Sequence, residues 1–252
     1  MDPRKFGETA LRHRNINNPL SPATLDRIID LCNPPKGSRV LDVGCGKGEF
    51  LLQLAKRRDV RGEGIDRSER AIVLARARAL QHALQDRLVF RCADVRSLKP
   101  PQEPYGLSVC LGATHAFGGL ENTLNALLGW TQSDGWIVVG EGFWKRRPST
   151  RYLEVLEAAP DELLDDPGNV RVGEGLGLRL ADRWWSTSEE WDEFEKDYAE
   201  GIESYARECP NDPDVPEMLR RIRRWRKAYL RWGKRTLGFG VYAFTRSARI
   251  QS

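Results

Sequence analysis

The sequence predicts an α/β fold with a mostly parallel sheet, and three observations lead there. A short β-reading run, Arg39-Val40-Leu41, runs into Asp42-Val43-Gly44-Cys45-Gly46-Lys47-Gly48 and then into a helix-reading run from Glu49 to Ala55. Strand and helix patterns alternate from that point onward. The strands are nearly continuous apolar runs, such as Trp136-Ile137-Val138-Val139, as expected of a parallel sheet covered on both faces.

Each element follows from local pattern. Residues 1–20 read as polar and turn-prone, ending in Asn17-Asn18-Pro19-Leu20. Ser21 caps a helix with Pro22 at its first position and Leu25, Ile28, Ile29 and Cys32 as its inner stripe. Pro34-Pro35-Lys36-Gly37 breaks it before the first strand. The expected order is then strand 39–44, helix 48–57, strand 60–65, helix 68–84, strand 87–92, strand 106–111, helix 119–130 and strand 135–141. A short helix over Asn169 to Leu176 precedes a strand from Leu178 to Trp185, and Gly238 to Thr245 reads as the last strand.

The stretch between those last two strands differs. Thr187 or Ser188 with Glu190 opens a helix whose apolar residues are Trp191, Phe194, Tyr198, Ile202 and Tyr205. A second follows Asn211-Asp212-Pro213, with Met218, Ile222, Trp225, Tyr229 and Trp232 on one face. Steps of three and four mark helices that pack on one side. Glu189 to Glu217 holds twelve acids and two bases, whereas Arg220 to Arg235 holds nine bases and no acid. Opposite charge therefore suggests that the two pair with each other as an antiparallel cap. The organisation expected is a single domain: N-terminal segment and helix 1–35, cofactor-binding core 36–186, helical cap 187–236, final strand and tail 237–252.

Composition excludes more than it selects. A length of 252 residues suits one α/β domain with an elaboration, and a net charge of +4 does not demand a nucleic-acid partner. Five scattered cysteines, with no C-x-x-C pair, read as reduced protein without a zinc site, hence a cytoplasmic location. The polar N-terminus has no signal-peptide core, and no run approaches a membrane span. Oligomeric state is not legible.

Glycines between a strand and a helix let the backbone turn sharply and bring its N–H groups against a ligand. The helix N-terminus behind them favours a carboxylate or phosphate. Asp66, eighteen residues past Gly48 at the end of the second strand, is placed to hold ribose hydroxyls. The chain is thus expected to bind an adenosine-containing cofactor. The glycines at 44, 46 and 48 do not fit the dinucleotide spacing G-x-G-x-x-G.

D-x-G-x-G-x-G with an acid at the second strand end resembles the class I S-adenosylmethionine-dependent methyltransferases. Over nearly its full length the chain is similar to the YjhP-like group of bacterial methyltransferases within that class. The shared features are His13-Arg14 with Asn18-Pro19, Gly112-Ala113-Thr114 with Gly118-Gly119, Gly140-Glu141 with Trp144, Trp191-Asp192 with Glu195, and Gly238-Phe239-Gly240-Val241-Tyr242-Ala243. The resemblance implies a Rossmann-like seven-stranded sheet with a hairpin at its far end and the helical cap inserted between the last two strands. It also implies S-adenosyl-L-methionine as cofactor, with no metal.

Carried over residue by residue, Gly44 and Gly46 contact the methionine end and Asp42 orients its amino group through the loop. Asp66 takes the ribose diol. Asp94 takes the adenine amino group while the Val95 N–H meets a ring nitrogen, unless Asp94 merely caps the next turn. Arg67 covers the adenine or is a solvated surface residue. Gly112 leaves room beside the methyl group.

His115 is one of three histidines and the one at such a strand end; it reads as a general base or as a structural residue lining the pocket. Glu141 reads as a binder of a cationic acceptor, a base, or a partner for loop backbone. Phe143 and Trp144 wall the pocket or pack in the core. The N-terminal residues from His13 to Pro19 either close the site or form a polar surface tail. The expected activity is methyl transfer to a small-molecule nucleophile, with no membrane partner. Two alternatives stand beside it: RNA or DNA methylation along the basic helix, and a non-methylating use of the same cofactor.

Overall fold

The computed structural model describes residues 2–246. Seven strands form one sheet in the order β3-β2-β1-β4-β5-β7-β6. They are β1 (Arg39–Val43), β2 (Arg61–Asp66), β3 (Leu88–Cys92), β4 (Tyr105–Leu111), β5 (Thr131–Trp144), β6 (Leu178–Trp185) and β7 (Leu237–Arg246). The first five pair in parallel, while β7 runs antiparallel to both β5 and β6. From β1 the chain moves outward to β2 and β3, then crosses back to β4 on the other side. That reversal opens a crevice outside the carboxyl ends of β1 and β4, where open parallel sheets take their ligands.

Nine helices cover the sheet among the described residues. They are α1 (Pro3–Ala10), α2 (Pro22–Cys32), α3 (Glu49–Arg57), α4 (Glu69–Gln81), α5 (Leu120–Trp130), α6 (Thr150–Leu156), α7 (Asp166–Gly175), α8 (Ser188–Glu208) and α9 (Val215–Ala228). A π turn over Tyr229–Gly233 and a last helical turn over Lys234–Thr236 lead into β7. None of the helices described is long and apolar enough to cross a membrane. The tail of 247–252 lies outside the described residues.

Several boundaries differ from the sequence reading. α1 lies within the segment read as turn-prone: the Asp2 carboxylate caps it at the Arg4 N–H (2.9 Å), and Phe6 and Ala10 bury themselves against α8 and α9. Its stability comes from that packing rather than from composition, so local pattern does not show it. α6, capped by Ser149, was also not expected. β5 extends past 141 to Trp144 because β7 continues to pair with it as far as Leu237. α7 starts at Asp166, three residues early, because Asp165 caps it.

α8 and α9 do pair antiparallel, with Tyr229 against Asp192, Trp225 against Glu195, and Ala199 and Ile222 in one apolar cluster. The Thr187–Glu190 capping box opens α8 as the sequence signals. One ion pair does join the acidic helix to the basic run: Asp192 of α8 meets Lys234, just beyond α9, at 2.7 Å. Among the described residues no ion pair links an acid of α8 to a base within α9 itself. Other acids of α8 and of the loop after it meet the N-terminal segment, through Arg12–Glu208, Arg14–Asp197 and Lys5 with Asp212 and Asp214.

Candidate active site

The loop after β1 bends back onto β2: the Gly44 and Cys45 N–H groups donate to the Ile65 carbonyl at 2.8 and 3.1 Å. Gly44, Gly46 and Gly48 all hold left-handed backbone, with φ of 69°, 52° and 75°. A side chain at Gly44 would collide with Ala113 after β4, so the two strand-end loops meet there with no intervening atoms. Asp66 fastens this loop. One of its oxygens accepts from the Gly46 N–H at 2.9 Å and the other from Ser68 N–H at 2.9 Å. Each oxygen keeps a further lone pair for a hydroxyl.

Asp42 lies buried beneath the loop, and burial together with the Asp66 charge pushes its carboxyl well above the usual range. Asp94 is exposed; it caps the 3-10 turn Val95–Ser97 through the Arg96 N–H and pairs with the Arg96 guanidinium, which holds its carboxyl down at about 2. The capping role is therefore present at Asp94, and Val95 beside it is buried. Arg67 is exposed at the end of β2. Gly112, at φ 79°, stands in van der Waals reach of Asn18 and of the Phe239 ring from β7.

The turn after β4, Thr114–Phe117, is tied to the end of β5. The Thr114 hydroxyl donates to Glu141, whose other oxygen accepts from the Gly142 N–H at 2.8 Å. Burial raises the Glu141 carboxyl against these two bonds. His115 follows Thr114 in the same turn; partial burial and the neighbouring Arg67 charge hold its imidazole below its ordinary range, against Asp66. The imidazole is thus within electrostatic reach of Asp66 and Arg67, with Glu141 linked to its turn through Thr114. Trp144 does not join them. Its ring packs with Tyr152, Leu153 and Ala228 and donates to the Pro160 carbonyl at 3.2 Å.

The N-terminal segment is a part of the site that composition undervalued. It is no surface tail: Asn15 to Asn18 line a cavity of about 40 Å³ together with Asp42, Gly44, Cys45, Gly46 and Leu111. The Asn18 amide donates to the Leu111 carbonyl at 3.1 Å. Lys47, which the sequence reading passed over as a loop residue, reaches the carbonyls of Leu11, Arg12 and Arg14. Burial, with Arg70 and Arg78 nearby, pulls its ammonium down to about 8, leaving it charged at neutral pH. The signal was the Asn-Asn-Pro run itself, too short to read without a tertiary partner. A larger cavity of about 600 Å³ lies at the opposite end, beside Arg39 and Tyr105 at the starts of β1 and β4. Size therefore does not mark the site; the glycine loop and strand-end polar groups do.

These residues fit an S-adenosyl nucleoside cofactor: a glycine cradle, a carboxylate at the second strand end and an open strand-end crevice. A family model described as a methyltransferase domain matches residues 34–185. The chain is 27% identical to the uncharacterised protein YjhP of Escherichia coli strain K12 over 96% of its own length and 97% of that protein's. Against the 27-O-demethylrifamycin SV methyltransferase of Amycolatopsis mediterranei strain S699 it is 30% identical over 155 residues, 60% of this chain and 52% of that one. The crystal structure of a methyltransferase from Geobacter sulfurreducens, S-adenosylmethionine-dependent and in complex with S-adenosyl-L-homocysteine, superposes with a TM-score of 0.91 at 25% identity. That alignment covers 96% of this chain and 98% of the other. With the family match spanning more than half of its residues, the chain belongs to the methyltransferase domain family.

Proposed function

We propose that this methyltransferase passes the methyl group of S-adenosylmethionine to a small-molecule nucleophile. The observation that carries the reading is the apolar surface beside the ends of β4 and β5, where the Phe239 ring stands against Gly112 and Gly140. Phe239 belongs to one apolar cluster with Leu20 from the N-terminal segment, Trp191 from α8 and Tyr229. An acceptor that reaches the crevice meets that apolar surface, which favours a compact molecule over a charged polymer. The rifamycin enzyme, similar over 60% of this chain, is named for a small-molecule acceptor.

When bound, the cofactor supplies a methyl group already activated on a sulfonium sulfur. The protein's own work is alignment and exclusion of water, which can contribute roughly 7–11 kcal/mol in well-oriented cases. Gly44, Gly46 and Asp66 hold the nucleoside in this reading, with Asp42, Asp94, Val95 and Arg67 around it. His115, its imidazole held below its ordinary range, accepts a proton where the acceptor must lose one, worth about 10²–10⁴-fold. Glu141 fixes the His115 turn through Thr114 and presents an anionic face to a cationic acceptor.

A nucleic-acid substrate is the second reading, and one observation favours it. Arg223, Arg226, Lys227 and Arg231 line a groove of about 510 Å³ with the exposed Leu230, and among the described residues none of these bases is ion-paired to α8. Against it stand Glu203 of α8, which lines the same groove, the apolar surface at the crevice and the lack of an Asn/Asp-Pro-Pro-aromatic motif after β4. A polyanion track would show RNA binding with a steep salt dependence, lost on neutralising those bases.

Incubation with S-adenosylmethionine and fractionated metabolites tests the proposal. Formation of S-adenosylhomocysteine with a methylated small molecule supports it. Cofactor cleavage without a methylated product sinks it in favour of a non-methylating use of the fold.

A further inference from the structure

Among the described residues several buried side chains leave a polar atom without a partner, Asn18, Ser186 and Trp191 among them, and of these Asn18 is the one at the glycine-loop cavity. It is 7% exposed, and its Nδ2 is committed to the Leu111 carbonyl, yet its Oδ1 is buried with no partner. Leaving a buried acceptor unmade is unfavourable, so such a group calls for a donor supplied from outside the chain. The side chain lines the small cavity at the glycine loop, between Gly44, Gly46 and Leu111. The lining offers both acceptors and donors. On the acceptor side stand the Leu111 carbonyl, the Asp42 carboxyl, Asn18 Oδ1 and Glu49, the last already paired with Arg78. On the donor side stand the start of α3 and the Asn17 amide, which lies where a side chain on Gly46 would point.

A ligand that meets both sides carries a cation with several N–H donors next to an anion, as the ammonium and carboxylate of an amino acid do. We propose that Asn18 is a binding residue for the amino-acid end of the cofactor, its Oδ1 accepting from the ammonium beside the Leu111 carbonyl. The inference rests on the S-adenosyl cofactor reading and adds to it a residue from outside the glycine loop and strand ends. The N-terminal segment then contributes directly to cofactor recognition rather than only covering it. Lys47 and the Leu111 bond hold that segment in register.

The test compares two nucleosides by calorimetry on the full chain. S-adenosylhomocysteine carries the amino-acid end; 5′-methylthioadenosine lacks it. Asn18→Ala is expected to weaken S-adenosylhomocysteine on the order of 10- to 100-fold, the scale of a hydrogen bond to a charged group, while methylthioadenosine changes less than about twofold. Asn18→Asp keeps an acceptor but loses the Nδ2 donor, and is expected to preserve the preference for S-adenosylhomocysteine over methylthioadenosine. It carries the test alone should Asn18→Ala fail to fold. Equal losses for both nucleosides, no loss for either, or loss of that preference in Asn18→Asp would overturn the proposal. If the unaltered chain binds neither nucleoside, the cofactor reading itself fails and this inference fails with it.

Discussion

The Lys47 ammonium, projecting from the glycine loop, donates to the Arg14 carbonyl at 2.6 Å. The same nitrogen reaches the Leu11 and Arg12 carbonyls at 2.9 Å each. One cation thus gathers three carbonyls of the turn that follows α1, the Leu11 carbonyl also taking the Arg14 N–H, and ties that segment to the glycine loop. Replacing Lys47 by Met removes the donor from all three. Stability is expected to fall by about 1.5–3 kcal/mol, with a parallel loss of S-adenosylhomocysteine affinity. Urea denaturation and calorimetry check the pair; unchanged affinity would separate the segment from cofactor binding.

Gly201 in the middle of α8 faces the Ala10 carbonyl at the end of α1, where even a methyl group would overlap the oxygen. Alanine normally favours a helix over glycine by roughly 1 kcal/mol. Here the clash wins, and Gly201→Ala is expected to lower stability by about 1–3 kcal/mol. A rise in the denaturation midpoint would show that α1 is not seated on α8 as described.

Glu195 provides a pH dependence with a definite sign. It is 5% exposed, its two oxygens share the Trp225 indole N–H at 3.0 and 3.2 Å, and burial pushes its carboxyl up to about 7 from 4.5, with Asp192 adding to the shift. Between those values the folded chain keeps a proton that the unfolded chain has lost. This group's contribution is therefore full below about pH 4.5 and declines as the pH rises to about 7. Glu195→Gln retains an acceptor for Trp225 without the titration. It is expected to match the parent in mild acid and exceed it by up to about 3 kcal/mol near pH 8, as read from denaturation curves across that range.

Asp66→Ala removes the partner of the Gly46 N–H and the proposed ribose acceptor together. Cofactor affinity is expected to drop by about 1.5–3 kcal/mol. His115→Ala, by contrast, is expected to cut turnover at least about a hundredfold once an acceptor that must lose a proton is found, with S-adenosylhomocysteine affinity unchanged. The reverse pattern, affinity lost and turnover kept, would move His115 to the nucleoside side, beside Arg67 and Asp66. Glu141→Gln is expected to raise the acceptor's Michaelis constant more than it lowers kcat.

The sequence by itself determined the sheet and the glycine-loop corner at the ends of β1 and β2. Gly44, Gly46 and Asp66 are legible because their backbone requirements are local: a left-handed turn between strand and helix admits glycine, and a strand-end acid follows at fixed spacing. The apolar stripes of α8 and α9 likewise foretold their pairing, since a helix periodicity is carried in neighbouring residues. What joins distant segments was not legible. The sequence matched the acids of α8 to the basic run after Arg220 by sign alone, but the tertiary structure gives only Asp192 to that run, through Lys234, and gives Glu208 and Asp197 to Arg12 and Arg14. It also decides that Trp144 turns into the core, that Glu141 braces Thr114, and that Asn18 keeps an unpaired oxygen over the glycine loop. Contacts of that kind depend on loop closure across more than ninety residues in the case of Asn18 and Leu111. No local pattern encodes which of many polar side chains the closing chain will bury.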